Sequence, residues 1–310
     1  MKIGIDLGGT KIAGGLVSDN GEILFKTSIP TVTDKGEDGL LSEVLSLIKL
    51  LMNHEKAENV TSVGIGVPGN VDEKLGLVIF CNNIPFNNLP LVEYITKHTN
   101  LPTYLTNDAN AAALAEARVG CAKDYDNCVM ITLGTGVGSG IILNNRIYSG
   151  ANGSAGELGH LSLFPDGIPC SCNRRGCFEL YASATALIEQ TRLVMKKNKK
   201  SKLWSFAKTL DDVTGKTAFD AMRVGDPFGE QVVSDYIRYL SIGVLDIVNL
   251  LYPEAIIFGG GLSREGEYLL SPLREIVNNQ CYSPYGRTPE LLIAELGNDA
   301  GIIGAALLGD

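Results

Sequence analysis

Residues 3–17 read IGIDLGGTKIAGGLV: an apolar strand, a glycine turn and a second apolar strand. Residues 127–143, NCVMITLGTGVGSGIIL, repeat that order, and laying IDLGGTKIAGGLV over ITLGTGVGSGIIL puts glycine turn on glycine turn. The first copy runs on past Ser18-Asp19-Asn20-Gly21, a turn signal, into GEILFKTSI, so the chain opens with a β-meander. From Gly39 to His54 the residues Leu40, Leu41, Val44, Leu45, Leu47, Ile48, Leu51 and Met52 fall at helical spacing, and the strand-like VTSVGIGVPG follows. LPLVEYITKHT before LPTYLTND supplies another helix and strand. In the second copy a helical stretch over residues 231–251 leads into EAIIFGGGLS, which ends in small residues as VTSVGIGVPGN does. Two similar halves predict a duplicated α/β fold of two domains flanking a cleft, since a period of roughly 120 residues exceeds the 20 to 50 of a solenoid. The boundary is expected at a hinge helix near Asp108 to Gly120, giving domains over residues 1–118 and 119–297. The closing helix DAGIIGAALLG, within 298–310, is expected to pack back on the first half.

The 310 residues agree with two domains at about 150 residues each. Hydrophobic residues make up 45% and charged ones 20%, a globular composition, and 36 Gly against 12 Pro point to tight turns or ligand loops. Lys and Arg total 26 against 35 Asp and Glu, a net charge of −9, which repels phosphate backbones and anionic lipid and makes nucleic acid a poor partner. MKIGIDLGGTKIAGG lacks the apolar core of a signal peptide, and no run of eighteen apolar residues follows, so a cytoplasmic protein is expected. Of seven Cys, three crowd into residues 170–177, which suits metal ligation in a reducing compartment better than disulfides. Cys81, Cys121, Cys128 and Cys281 stand singly in apolar context and are expected in the core.

In Asp6-Leu7-Gly8-Gly9-Thr10-Lys11 a carboxylate leaves a strand end, two glycines admit a ligand to the backbone, and Thr10 sets a hydroxyl beside Lys11. That suits phosphate and Mg2+; the competing reading is a hairpin turn needing positive φ. Thr135-Gly136-Val137-Gly138-Ser139-Gly140 contains GxGxG but runs into IIL and not a helix, so it reads as a second phosphate-approach hairpin and not a dinucleotide fingerprint. Gly259-Gly260-Gly261 after AIIF could lay backbone against adenine or ribose, or simply turn the chain from strand to helix. Asp108 ends LPTYLTND ahead of a helix: taken alone it reads as an N-cap, yet at a strand end in a cleft it can equally take a proton from a substrate hydroxyl, with Asn107 bonding the same sugar.

His160 with Cys170, Cys172 and Cys177 makes the Cys3His set of a closed tetrahedral zinc site, which would be structural because the protein fills every position. The alternative is a core histidine beside a redox cysteine cluster, against which stands the lack of a CxxC motif. His54 and His98 read as solvated, Glu157 and Glu179 flank the loop as either site carboxylates or surface charge, and the run Lys196 to Lys202 reads as a solvated helix end.

As a set, IDLGGTK, TNDANAAALAE, ITLGTGVGSGII, AGELGH, CSCNRRGCFE, FGGG and NDAGIIGAA closely resemble the ROK family of bacterial sugar kinases and sugar-responsive repressors over nearly the whole chain. The resemblance implies the ribonuclease H-like fold of the actin-like ATPases, shared with hexokinase and Hsp70, closing over ATP and a hexose. It implies Asp108 as catalytic base, Asn83, Asn107, Glu157, His160 and Glu179 as sugar contacts, and Cys170, Cys172 and Cys177 with His160 as zinc ligands. Asp6, Gly8, Gly9, Thr10, Lys11, Thr135, Gly136, Gly260 and Gly261 fall to Mg-ATP. A homodimer is the family expectation. Two departures stand out: Asn173 where many members have Gly, and Phe86 where glucokinases often have Trp.

The expected function is ATP-dependent phosphorylation of a hexose, glucose to glucose 6-phosphate first. The alternatives are a kinase for fructose, mannose, allose, N-acetylmannosamine, N-acetylglucosamine or a β-glucoside, or a sugar-responsive transcriptional regulator. The regulator needs a DNA-binding module, for which a core motif starting at Ile3 leaves no room.

Overall fold

The computed structural model describes residues 1–81, 83–282 and 286–309. Two compact units form: Met1–Met130 with Gly140–Gly156 and Glu295–Asp310, and Ile131–Ser139 with Glu157–Ala294.

In the first unit, β1 (Lys2–Leu7), β2 (Lys11–Val17) and β3 (Ile23–Pro30) form the expected meander, followed by α1 (Gly36–Met52) and β4 (Val63–Val67). Three short strands, β5 (Asn70–Asp72), β6 (Leu77–Phe80) and β7 (Asn87–Leu89), make a separate antiparallel sheet before α2 (Leu91–Thr99), β8 (Thr103–Asn107) and α3 (Asp108–Val119). The main sheet has the order β3-β2-β1-β4-β8, antiparallel through its first three strands and parallel from β1 to β8. Every residue of β4 is buried, as a parallel strand covered on both faces requires. One cover is α1, whose 3.6-residue stripe of Leu40, Leu41, Val44, Leu45, Leu47, Ile48 and Leu51 is buried.

The second half builds β9 (Cys128–Leu133), β10 (Val137–Leu143) and β11 (Arg146–Ile147), then α4 (Glu179–Ala182), α5 (Ala184–Lys197), α6 (Leu203–Phe206), α7 (Thr217–Arg223) and α8 (Pro227–Leu251). It closes with β12 (Ala255–Gly259), α9 (Glu267–Gln280) and β13 (Glu290–Ile293). Its sheet has the order β11-β10-β9-β12-β13, strand for strand the order of the first sheet, so the duplication read from the two glycine turns is a duplication of topology. Helix α8 starts four residues ahead of the expected stretch because Asp226 caps it, accepting from the Phe228 N–H at 3.3 Å, and Pro227 takes the first helical position.

The last helix, α10 (Ala300–Ala306), is the other cover of the first unit's sheet. It lies backbone to backbone on β1 and β4: a Cβ on Gly4 would come within 1.9 Å of the Ile302 carbonyl oxygen, and one on Gly64 within 1.7 Å of that of Ala305. Those strand glycines exist for this approach. Before α10 the chain is tied to α3 by Glu116, a fully buried carboxylate that accepts from the Leu296 N–H at 2.8 Å and the Cys121 N–H at 3.1 Å. Two expectations need correction. Cys121 and Cys281 are only half-buried, unlike Cys81 and Cys128, because both sit where a helix hands over to a loop. His54 is not simply solvated, since its ring stacks on Phe25 at 3.8 Å between centroids.

Candidate active site

At the C-terminal ends of β1, β4 and β8 the first unit gathers several of the singled-out residues. The β1–β2 turn is closed by the Gly8 N–H donating to the Lys11 carbonyl at 2.9 Å, and Thr31 Oγ1 donates to the Gly8 carbonyl at 2.6 Å. Gly9 and Thr10 at its tip and Lys11 are exposed. A Cβ on Gly9 would stand 3.3 Å from that of Asn83, so the turn and Asn83 lie together. Asp6, partly buried on β1, faces the α10 backbone at Gly301. Burial raises its carboxyl pKa, and Lys11 opposes that rise.

The cap of α3 is Asn107, not Asp108. Asn107 Oδ1 accepts from the Ala109 and Asn110 N–H groups at 2.9 and 3.4 Å, while its Nδ2 donates to the Gly69 carbonyl at 3.1 Å. Asp108 is therefore the first helical residue, its Oδ1 accepting from the Ala109 N–H at 2.8 Å. Beside it, Cys81 has its thiol pushed up to about 11, by burial and then by the Asp108 charge. Gly66 leaves the space over Asp108: a Cβ there would be 3.6 Å from Asp108 Cα. Phe86 is 1% exposed, a core residue under the small sheet, so its ring serves packing.

In the second unit the 3-10 turn Leu158–His160 is pinned to β10, the Leu158 N–H donating to Ser139 Oγ at 3.2 Å, with Gly159 admitting the Val137 carbonyl. Glu157 precedes that turn and is exposed. His160 Nδ1 lies 3.7 Å from Cys170 Sγ and 3.8 Å from Glu179 Oε1, and the Cys170 thiol donates to that same Glu179 oxygen at 3.7 Å. The other Glu179 oxygen lies against the glycine turn, 2.8 Å from where a Gly136 Cβ would be. Thus Gly136, His160 and Glu179 come together, as do His160, Cys170, Cys172 and Cys177, whose ligand atoms all lie within 4.8 Å of one another. Cys172 and Cys177 Sγ are 3.5 Å apart. A tetrahedral zinc with bonds of about 2.3 Å to sulfur and 2.0 Å to nitrogen separates its ligand atoms by about 3.5 to 3.8 Å, so this donor set fits one. The backbone N–H of Arg174 draws the Cys172 thiol down to about 6, whereas burial and the neighbouring thiols push Cys177 up to about 12. Asn173 turns the loop at φ 67°, the left-handed conformation that Asn shares with Gly. At the end of β12, Gly260 has φ 82° and admits the Leu133 backbone, while a Cβ on Gly261 would meet open space.

Sequence reasoning missed Cys81 and Gly66 beside Asp108. It also missed Glu73, which accepts from Thr106 Oγ1, one residue before Asn107, and from Ser149 Oγ at 2.9 Å. Only topology brings these together; their spacing carries no signal.

The ROK family model matches residues 2–310. The chain belongs to the ROK family. This ROK protein is 38% identical over 305 residues to a glucokinase of Thermotoga maritima, covering 98% of this chain and 95% of the relative. It superposes with a TM-score of 0.80 and 35% identity on the crystal structure of a ROK family glucokinase from Streptomyces griseus in complex with glucose and AMPPNP, covering 98% and 97% of the two chains. A xylose repressor of Caldicellulosiruptor bescii is 30% identical over 305 residues, 97% of this chain and 76% of the repressor. The repeated sheet order of this ROK protein is that of the actin-like ATPase fold. Among the described residues no helix is long and apolar enough to cross a membrane.

Proposed function

We propose that this ROK protein is an ATP-dependent sugar kinase that phosphorylates the 6-hydroxyl of glucose. The observation that carries the reading is the similarity to glucokinases across almost the full length of both chains, joined to a carboxylate held as the first residue of α3. Asp108 takes the proton of the attacking hydroxyl as the γ-phosphoryl is transferred in line. Asn83, Asn107, Glu157, His160 and Glu179 bind the sugar hydroxyls. The turns carrying Asp6, Gly8, Gly9, Thr10 and Lys11, and Thr135 and Gly136, hold the Mg-ATP phosphates, with Gly260 and Gly261 beside the nucleoside. Mg2+ held with the phosphates would supply neutralisation of their charge. The chain's share of the catalysis is alignment and charge placement, because phosphoryl transfer leaves little covalent chemistry to a protein.

Zinc on His160, Cys170, Cys172 and Cys177 would supply rigidity to the loop that presents His160 and Glu179. Homodimerisation and a cytoplasmic location belong to the same reading. The regulator reading has less support, since identity and coverage are both lower for the repressor than for the glucokinase. The test is coupled ADP release with Mg-ATP and a panel of hexoses, amino sugars and β-glucosides. Glucose-dependent turnover that vanishes in Asp108→Asn is expected. Sugar binding without turnover on any member of the panel would transfer the assignment to a sugar sensor.

A further inference from the structure

The first unit holds a cavity of about 580 Å³ lined by the early residues of β8, by α3, by β11 and by the turn after β5. That volume is within the roughly 300 to 1,000 Å³ of small-molecule sites. Its walls are apolar where Val92, Leu105, Leu114 and Leu307 line it. Its charged groups are Lys74, Arg118, Arg146 and Glu73.

The three cations are exposed, and among the described residues none of them makes an ion pair. Arg118 donates only to the Asn145 carbonyl, at 3.1 Å. The carboxylate of Glu73 accepts from Thr106 Oγ1 and Ser149 Oγ, and no ion pair joins it to these cations among the described residues. Asp72 lies outside the lining, its Oδ1 accepting from the Lys74 and Leu75 N–H groups at 3.0 Å. The lining therefore carries a formal charge of about +2 on a chain whose net charge is −9. Two guanidinium forks and an ammonium in a lining that also carries apolar side chains match an anion that combines a double charge with apolar surface.

We infer that this cavity is a binding site for a phosphomonoester with a partly apolar body, held by Arg118, Arg146 and Lys74 and seated on Leu105 and Leu114. A phosphomonoester carries about −1.5 to −2 at pH 7, which balances the lining, whereas a monocarboxylate leaves a cation unmatched. Binding here needs no sugar-kinase activity, so its failure and the failure of the kinase reading are separate results.

The probe is phenyl phosphate, titrated calorimetrically into the full chain preloaded with Mg-AMPPNP, with phenol and inorganic phosphate as comparison arms. The expected result is one saturable site for phenyl phosphate, at least 10-fold weaker binding of inorganic phosphate, and no saturable binding of phenol. Arg118→Gln/Arg146→Gln should weaken phenyl phosphate at least 10-fold, with Lys74→Gln alone giving a smaller loss. All three side chains are exposed, and an unchanged melting temperature checks that the variants fold. Equal affinity in wild type and double variant, or no saturation by about 10 mM, would overturn the assignment.

Discussion

Adding one methyl group to Gly64 should dislodge the closing helix, whereas the same addition two residues on should not. A Cβ on Gly64 would stand 1.7 Å from the Ala305 carbonyl oxygen and 2.5 Å from its carbon. Carbon and carbonyl oxygen rest at about 3.3 Å, so α10 must retreat by about 1.5 Å. A gap of even 0.5 to 1 Å forfeits about a quarter to a half of a dispersion contact, and Ile302, Ile303, Ala305 and Ala306 of α10 are all buried. Such overpacking costs about 3 kcal/mol. At about 2 to 4 °C per kcal/mol for a unit of this size, the melting temperature should fall by about 6 to 12 °C. Gly66 is the internal control, on the same strand and the same face. Its Cβ would meet Ala111 Cβ at 3.4 Å, an ordinary contact, and an Ala there gains about 0.4 to 1 kcal/mol by restricting the unfolded chain. Circular dichroism melts of Gly64→Ala and Gly66→Ala decide the matter. If the two variants melt within about 2 °C of each other, the backbone-to-backbone account of α10 is wrong.

Further outcomes are open to direct measurement. Asp108→Asn should lower kcat by about 10³-fold or more while the glucose Kd stays within about threefold, and near-normal turnover would remove Asp108 as the base. Chelation of zinc present at about 100 times its Kd should strip about 2.7 kcal/mol from the second unit, lowering its melting temperature by about 5 to 10 °C in a calorimetric scan with and without EDTA. An unshifted transition in protein shown by elemental analysis to have lost its metal would deny zinc a structural part. Burial raises the Asp6 carboxyl above its ordinary 3.8, so the folded chain holds that proton more tightly than the unfolded one. The stability it contributes is complete below pH 3.8 and is lost as the pH rises through the raised value. Asp6→Asn has no such loss, so the wild type should lose ground to the variant as the pH rises above 3.8, and a flat difference in their melting temperatures would contradict it. Glu116→Ala strands the N–H groups of Cys121 and Leu296 and should cost about 3 kcal/mol by urea denaturation, whereas a loss below about 1 kcal/mol would mean water replaces the carboxylate.

Much of the architecture could be read from residues because glycine turns between apolar strands report a local conformation that any chain of that composition adopts. The echo of residues 5–17 in 131–143 was therefore enough to predict a repeated sheet. The Cys and His cluster was legible for a similar reason: soft ligands crowded into eight residues have few other uses. Strands β5 to β7 were not, since three or four residues among Asn and Pro are too short to show alternation. The cap of α3 was misread because Asn107 and Asp108 are both good capping types in adjacent positions, and only the φ of −67° and ψ of 150° at Asn107 separate them. Gly4 and Gly64 interrupt otherwise apolar strands. Their purpose lies some 240 to 300 residues away in the helix they receive, a relation that no local pattern encodes.

That distant dependence has a consequence for synthesis on the ribosome. The β1 and β4 faces of the first unit cannot be covered until residues 300–306 have been made, about 170 residues after residue 130. At about 5 to 20 residues per second, the nascent first unit waits roughly ten to thirty seconds with a bare strip of glycine backbone and apolar side chains open to whatever binds such surfaces. Vectorial folding is therefore denied to this half of the molecule: β1 and β4 emerge long before the helix that finishes them, and a chaperone that shields them during that interval should raise the yield of native chain.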